Sequence, residues 1–420
     1  MSGLITPPSL RNDCFALPAG VYWTPVDEAL ALLRERLTPV TGCEIVPVSR
    51  AMGRVLADDV VAPRANPPLP NTAVDGYGFA GGRPEGPHFL VLLDERAAAG
   101  PRLATVVPEG QAVRILTGAA LPTGVDTVVL QEDVTVADGQ IAFNGPIKTG
   151  ANTRRAGEDV RKGDVILTAG RRVTAADMAI LAATGADQVN VRVPLRVAVV
   201  STGDELVEAG QSAKQDQIYD ANRPMLLSMI TAMGHVPVDM GRCADDRAAL
   251  SRILDDATRN ADVVITSGGA SAGDEDHVSS LLTEVGAMQM WRIAIKPGRP
   301  LALGLWNNTP VFGLPGNPVA AMVCTLVFAN PAMAQLAGAG WVAPVGYDVP
   351  ANFTKSKKAG RREYLRARMC DEQVEVFGSE GSGRISGLSW ADGFVELAED
   401  AQTVNKGDLV RYVPFGSFVL

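Results

Sequence analysis

The sequence predicts a multidomain α/β and β protein. At its centre is a doubly wound, mostly parallel α/β domain; the flanking parts are a β-rich inserted domain, a helical/linker lobe and a small C-terminal β-barrel-like domain. Three observations carry this expectation. Apolar, β-branched runs end abruptly in Gly-rich polar turns at residues 199–205, 263–276 and 311–318, the signature of buried parallel strands delivering loops to one edge of a sheet. Strand and helix patterns alternate from Leu195 to about Gly340, which implies right-handed crossovers. Short alternating runs between turns occupy residues 66–164 and 348–420, a β pattern.

Taken in order, residues 25–35 read as an amphipathic helix, with Val26, Ala29, Leu30, Leu32 and Leu33 at helical spacing. Residues 88–93, 112–116 and 127–130 read as strands, residues 175–185 as a helix and 191–194 as a linker. Strand 197–201 precedes a helix after Asp220, with Pro224 placed for its first turn. Strand 236–240 leads through Asp245-Asp246 to a helix striped by Leu250, Ile253, Leu254 and Ala257. Strand 263–267 leads towards a helical pattern at 276–282, and short strands are expected at 363–368, 374–377, 394–397 and 409–413. The resulting boundaries are a helical/linker lobe at 18–55 plus 164–193, a β-rich insert at 56–163, an α/β domain at 194–343 and a C-terminal β-domain at 344–420.

Composition narrows the function. A length of 420 residues calls for several domains, and a net charge of −9 argues against a general nucleic-acid binder. Five cysteines without a Cys-x-x-Cys pair and three histidines without a His-Glu-x-x-His pattern fit a reducing cytosol and give no zinc signature. No secretory signal is legible at the start. Residues 300–347 carry no charge, but Asn307-Asn308, Pro310, Gly316-Asn317-Pro318 and Asn330-Pro331 interrupt them. That leaves an apolar run shorter than the roughly 18 residues of a spanning helix, so a buried helix or a subunit interface is expected and a membrane is not.

The glycine-rich turns carry the chemistry. Ligands of open α/β sheets lie beyond the carboxyl ends of the strands. Glycines there let backbone N–H groups close round an anion, and carboxylates can hold a hard cation against it. Asp204-Glu205 after Ser201-Thr202-Gly203, and Asp274 and Asp276 after Ser267-Gly268-Gly269, fit such a site. Asp245-Asp246 is equally a helix cap. Lys296-Pro297-Gly298-Arg299-Pro300, with Arg292 before it, is either an oxyanion clamp or a solvated hairpin tip. Gly313-Leu314-Pro315-Gly316-Asn317-Pro318 is either a structural elbow or an anion-facing turn. Arg154-Arg155 beside Glu158-Asp159 could close on itself as a salt bridge or hold an anion and a metal. His277 is given no role.

Together these segments resemble the molybdopterin molybdenumtransferase family (MoeA and the E domain of gephyrin). The matching motifs run in family order: N-T-A-V-D-G-Y from Asn71, L-T-G-A, R-R-A-G-E-D, S-T-G-D-E-L, Q-I-Y-D-A-N-R, S-G-G-A-S-A-G-D-E-D, I-K-P-G-R-P and G-L-P-G-N-P ending at Pro318. The resemblance implies a cytoplasmic transferase that inserts molybdenum from molybdate into adenylylated molybdopterin, with Mg²⁺-dependent release of AMP. It also implies an elongated homodimer, with a cleft between the β-rich domain of one subunit and the α/β domain of the other. The molybdopterin adenylyltransferase and molybdoenzyme acceptors are implied as partners.

Carried over motif by motif, the implied catalytic residues are Glu205, Asp245, Asp276, Asp159 and Thr117. Glu205, Asp245 and Asp276 are the expected metal ligands. Lys296, Arg292, Ser267, Gly268, Gly269, Pro315, Gly316, Asn317, Pro318, Arg366 and Ser382 are the expected cofactor-binding residues. One position departs from the pattern: Pro70 stands where the family usually has an aspartate, and proline offers neither a carboxylate nor an N–H. That departure motivates an alternative, a non-catalytic molybdopterin or molybdenum-cofactor carrier or insertion factor. Arg292 in place of a family lysine keeps the charge but changes its geometry.

Overall fold

The computed structural model describes residues 23–269, 277–285, 288–298 and 300–418. The chain divides into two compact units, one formed by residues up to Gly42 together with Val193 onward, the other by Cys43–Arg192.

The first unit is organised by a six-stranded sheet. Its spatial order is Val236–Cys243, Arg196–Thr202, Val263–Ser267, Thr309–Leu314, Pro300–Trp306 and Met288–Arg292. The first four strands are parallel, and the last two join through antiparallel pairings in which Pro300–Trp306 alone runs against the rest, so the sheet is mostly parallel, as expected. Alternate residues of Arg196–Thr202 explain why that strand is apolar throughout. Val197 and Val199 enter one core with Leu226 and Ile230 of helix Asn222–Ala232. Ala198 and Val200 enter the opposite core with Leu250 and Leu254 of helix Arg247–Asn260 and Leu281 of helix His277–Glu284. A strand covered on both faces has no solvent side to mark with polar residues.

The uncharged stretch holds two strands and then a core helix. Pro318–Leu336 runs as one 19-residue apolar helix, mostly buried inside the chain, in line with the buried-helix expectation. It is longer than the sequence reading allowed, because Asn330-Pro331 does not end it. A π-helical turn at Thr325–Ala329 precedes Pro331. Proline cannot donate a helical N–H and crowds the carbonyl one turn earlier, and a widened turn lets the helix continue. Asn307 and Asn308, at φ of 49° and 65°, form the two-residue turn that joins Pro300–Trp306 to Thr309–Leu314, a left-handed pair that asparagine tolerates.

The C-terminal sheet of the same unit has the order Ile295–Lys296, Arg362–Cys370, Gly393–Leu397, Leu409–Pro414 and Tyr347–Pro350, with Gln373–Val376 beside Arg362–Cys370. Helix Val26–Arg36 is tied to it by Arg362, whose guanidinium donates two 2.8 Å hydrogen bonds to the Asp27 carboxylate.

In the second unit a six-stranded sheet contains Gly76–Phe79, Arg83–Ala97, Gln111–Ile115, Thr127–Leu130, Thr135–Ala137 and Gln140–Ile147. Helix Ala175–Ala183 starts on a capping box: Thr174 Oγ1 accepts the Asp177 N–H at 3.3 Å, and Asp177 Oδ2 accepts the Thr174 N–H at 2.8 Å. The expected linker at 191–194 is partly strand. Gln188–Arg192 pairs antiparallel with Cys43–Pro47, because Val189 and Val191 alternate into a small core with Val46 and Leu56.

Candidate active site

Adjacent parallel strands end at Thr202, Ser267 and Leu314, and the turns that follow converge on one open cleft of about 1070 Å³. Its floor includes Thr202, Ser267, Gly268, Gly269, Gly316 and Asn317. Gly268 and Gly269 adopt φ of 94° and 66°, and a Cβ on Gly268 would lie 2.7 Å from both the carbonyl oxygen and Oγ1 of Thr202. Only glycine combines that backbone with that approach. The Gly268 N–H is held by the Leu314 carbonyl at 3.1 Å. Among the described residues the N–H groups of Gly269, Gly316 and Asn317 meet no acceptor. These open donors fit a phosphate.

Carboxylates line the same cleft. Asp245 and Glu205 both reach it. Asp204 and Asp245 clasp each other: the Asp204 N–H donates to Asp245 Oδ2 at 3.2 Å and the Asp245 N–H to Asp204 Oδ1 at 3.3 Å. The Glu205 carboxylate folds back over Gly203, so close that a Cβ there would sit 2.5 Å from Oε2. Of the ambiguous pair, Asp246 is the helix cap, accepting the Ala249 N–H at 2.7 Å, and Asp245 is left to the cleft. Asp276 lies outside the described residues. Among the described residues no group of three or more His, Cys, Asp or Glu side chains gathers as a metal cluster. Glu205 and Asp245 nevertheless supply the hard oxygen donors that Mg²⁺ prefers.

The cleft wall is partly apolar. Ile218 and Tyr219 form a short parallel pair with Leu206–Val207, and Gly383 and Ile385 of the C-terminal domain also line it. Ser382 is adjacent, its carbonyl accepting the Val319 N–H at 3.2 Å. Pro318 lines the cleft, whereas Pro315 is buried and does not.

Lys296 lies in a second, smaller cavity of about 240 Å³, with Lys355, Arg366, Phe377 and Glu380. It is no solvated hairpin tip, since it belongs to a strand paired with Arg362–Cys370. Lys296 pairs with Glu363 at 3.3 Å and Glu380 at 2.7 Å, and Lys355 with the same two carboxylates at 3.1 and 2.5 Å. Burial alone would depress the Lys355 ammonium, but Glu380 and Glu363 raise it above the ordinary lysine value. Burial likewise opposes ionisation of Glu380, and the hydrogen bonds from Lys296 and Lys355 outweigh it and lower its carboxyl. Arg366 is buried, and its guanidinium donates to the carbonyls of Ser379, Arg384 and Gly381 and stacks on Phe377. It shapes the loop that carries Ser382. Arg292 is half-buried and lines neither cavity.

In the second unit Thr117 and Asp75 form one contact: the Thr117 N–H and hydroxyl both donate to Asp75 Oδ1 at 2.6 Å. Those bonds, the hydroxyl first, hold the Asp75 carboxyl below the usual range. Asp159 Oδ2 accepts from Asn66 Nδ2 at 2.9 Å. Glu158 accepts the Arg155 N–H at 2.8 Å, and no salt bridge joins Arg154 or Arg155 to Glu158 or Asp159. Pro70 is exposed, and its carbonyl accepts the Leu121 N–H at 2.9 Å.

Known proteins resemble this chain throughout. Residues 24–185 match the MoeA N-terminal region (domain I and II), 198–335 a probable molybdopterin binding domain and 348–415 the MoeA C-terminal region (domain IV). The molybdopterin molybdenumtransferase of Haemophilus influenzae is 36% identical, over 93% of this chain and 98% of its own. The chain belongs to the MoeA family. The MoeA family chain is also 33% identical to the molybdopterin molybdenumtransferase of Nostoc sp., over 88% and 89% of the two chains. A solved MoeA protein from Pyrococcus horikoshii superposes with a TM-score of 0.82 at 28% identity, covering 94% of this chain and all of that one.

Sequence reasoning about this MoeA chain assigned no role to Thr202, Tyr219, Asn222, Lys355 or Glu380. Thr202, Tyr219 and Asn222 sit inside recognisable motifs, so a signal was present. Lys355 and Glu380 are distant in sequence from Lys296, and only the fold of the C-terminal sheet brings them to it.

Proposed function

We propose that this chain is a molybdopterin molybdenumtransferase that inserts molybdenum from molybdate into adenylylated molybdopterin and releases AMP. The names of relatives 32–36% identical over most of the chain support the transferase reading. The single observation that carries it is the conjunction, in one cleft, of open backbone donors at Gly269, Gly316 and Asn317 with the carboxylates of Glu205 and Asp245.

In this reading the floor N–H groups bind phosphate oxygens and fix the ligand's orientation, and Tyr219 and Ile385 flank its ring portion. Glu205 and Asp245 hold Mg²⁺, which when bound supplies positive charge against the pyrophosphate link. Asp276, Lys296 and Ser382 are proposed to complete binding, with Thr117 and Asp159 contributed across a homodimer. The reaction is proposed to take place in the cytoplasm.

The test is AMP release from adenylylated molybdopterin and Mg²⁺, with and without molybdate. Molybdate-dependent release is expected, with Glu205→Gln and Asp245→Asn each lowering turnover by about 100-fold or more. Pro70 favours a second reading, a molybdopterin carrier, because its ring replaces a carboxylate position. Tight pterin binding without AMP release would select the carrier, and Pro70→Asp would then be expected to restore turnover.

A further inference from the structure

The floor of the cleft is built from turns that belong to different strands, and one side chain fastens them together. Asn222 is the first residue of helix Asn222–Ala232, lines the cleft and is only 7% exposed. Its Nδ2 donates two hydrogen bonds, both 2.7 Å: one to Ser267 Oγ, at the end of the Val263–Ser267 strand, and one to the Gly316 carbonyl in the next turn. Those acceptors flank the open N–H groups of Gly269, Gly316 and Asn317. The amide therefore sets the distance between the turns that present the donors. Its Oδ1 is buried and meets no partner among the described residues, so the amide's orientation is fixed by its two donated bonds.

We propose that Asn222 is a positioning residue for anion recognition, a latch that holds the Gly268-Gly269 turn and the Gly316-Asn317 turn at the spacing a pyrophosphate-bearing ligand requires. The inference rests on the reading of this cleft as the adenylylated-molybdopterin site. Asparagine is chosen by chemistry. Serine reaches less far, and aspartate would set a carboxylate oxygen against the Gly316 carbonyl and add negative charge beside Glu205 and Asp245. A neutral amide donates to both acceptors without opposing an incoming anion.

The experiment compares the full-length wild type with Asn222→Ala and Asn222→Asp, using inorganic pyrophosphate with Mg²⁺ as the calorimetric probe and thermal unfolding as the control for folding. Wild type binds. Asn222→Ala is expected to weaken binding by about tenfold, the size set by losing a buried charge-orienting hydrogen bond, and Asn222→Asp to weaken it further. In turnover, Asn222→Ala should raise KM for adenylylated molybdopterin while kcat falls by less than about threefold, a split that general loss of structure does not produce. Wild-type affinity in both variants would overturn the latch and leave the proposed function standing. Failure of the wild type to bind pyrophosphate would overturn the latch, and the proposed function would be decided separately by AMP release. Unfolding of both variants would make Asn222 a fold residue and overturn the latch.

Discussion

Gly268 shows how little freedom the site's residues have. A methyl group there meets the Thr202 carbonyl at 2.7 Å, in a backbone conformation at φ 94°. Gly268→Ala should therefore cost more than about 1 kcal/mol in chemical denaturation and reduce pyrophosphate binding, whereas alanine at Gly241, where nothing lies within 4 Å, pays only the backbone term. The Lys355–Glu380 contact makes a second prediction. The Glu380 carboxyl is lowered in the folded protein, so its contribution is complete above the unfolded glutamate value and disappears as pH falls through the folded one. The Lys355 ammonium is raised, so its contribution is complete below the unfolded lysine value and disappears as pH rises through the folded one. Glu380→Gln should flatten the acid side of the stability profile, measured by unfolding in denaturant across pH.

At the scale of elements, capping and turn chemistry decide where segments begin. Thr174→Ala removes one half of the capping box on helix Ala175–Ala183 and should destabilise the protein by about 1 kcal/mol in denaturant unfolding. The strands of the α/β sheet were legible because burial on both faces makes them continuously apolar, and the glycine turns after them because φ above zero restricts the choice of residue. Two features were less so. The helix at Pro318–Leu336 passes through Asn330-Pro331 by widening one turn, a backbone adjustment that leaves no mark in side-chain periodicity. Residues 188–192 pair with a strand more than 140 positions earlier, and pairing at that separation is set by the fold. The same limit applied to the site. Glu205 and Asp245 follow strand ends and could be read directly, whereas the partners of Lys296 are Glu363 and Glu380 on other segments of chain.

Across the first unit, the α/β sheet and the C-terminal sheet are held together by covalent continuity and by shared core. The chain passes from Met288–Arg292 in one sheet to Ile295–Lys296 in the other, and Phe418 returns to the core around helix Pro318–Leu336. Asn330 Nδ2 donates to the Phe418 carbonyl at 3.2 Å. Phe418→Ala should cost about 3–5 kcal/mol, measured by denaturant unfolding. Because Ser382, Gly383 and Ile385 come from the C-terminal domain, the same substitution should also weaken pyrophosphate binding.

The close approach of Gly298 to helix Pro318–Leu336 has a practical consequence. A Cβ at Gly298 would lie 2.5 Å from Cys324 Sγ, so the thiol is sealed by backbone, and burial pushes it up to about 12. The reactive species is the thiolate, so Cys324 is silent to alkylating reagents while the core is closed, in contrast to exposed Cys43. Its labelling rate in native buffer, followed by mass spectrometry, is a clock for opening of the core. Ligands that tighten the neighbouring cleft should slow that clock without changing the rate at Cys43.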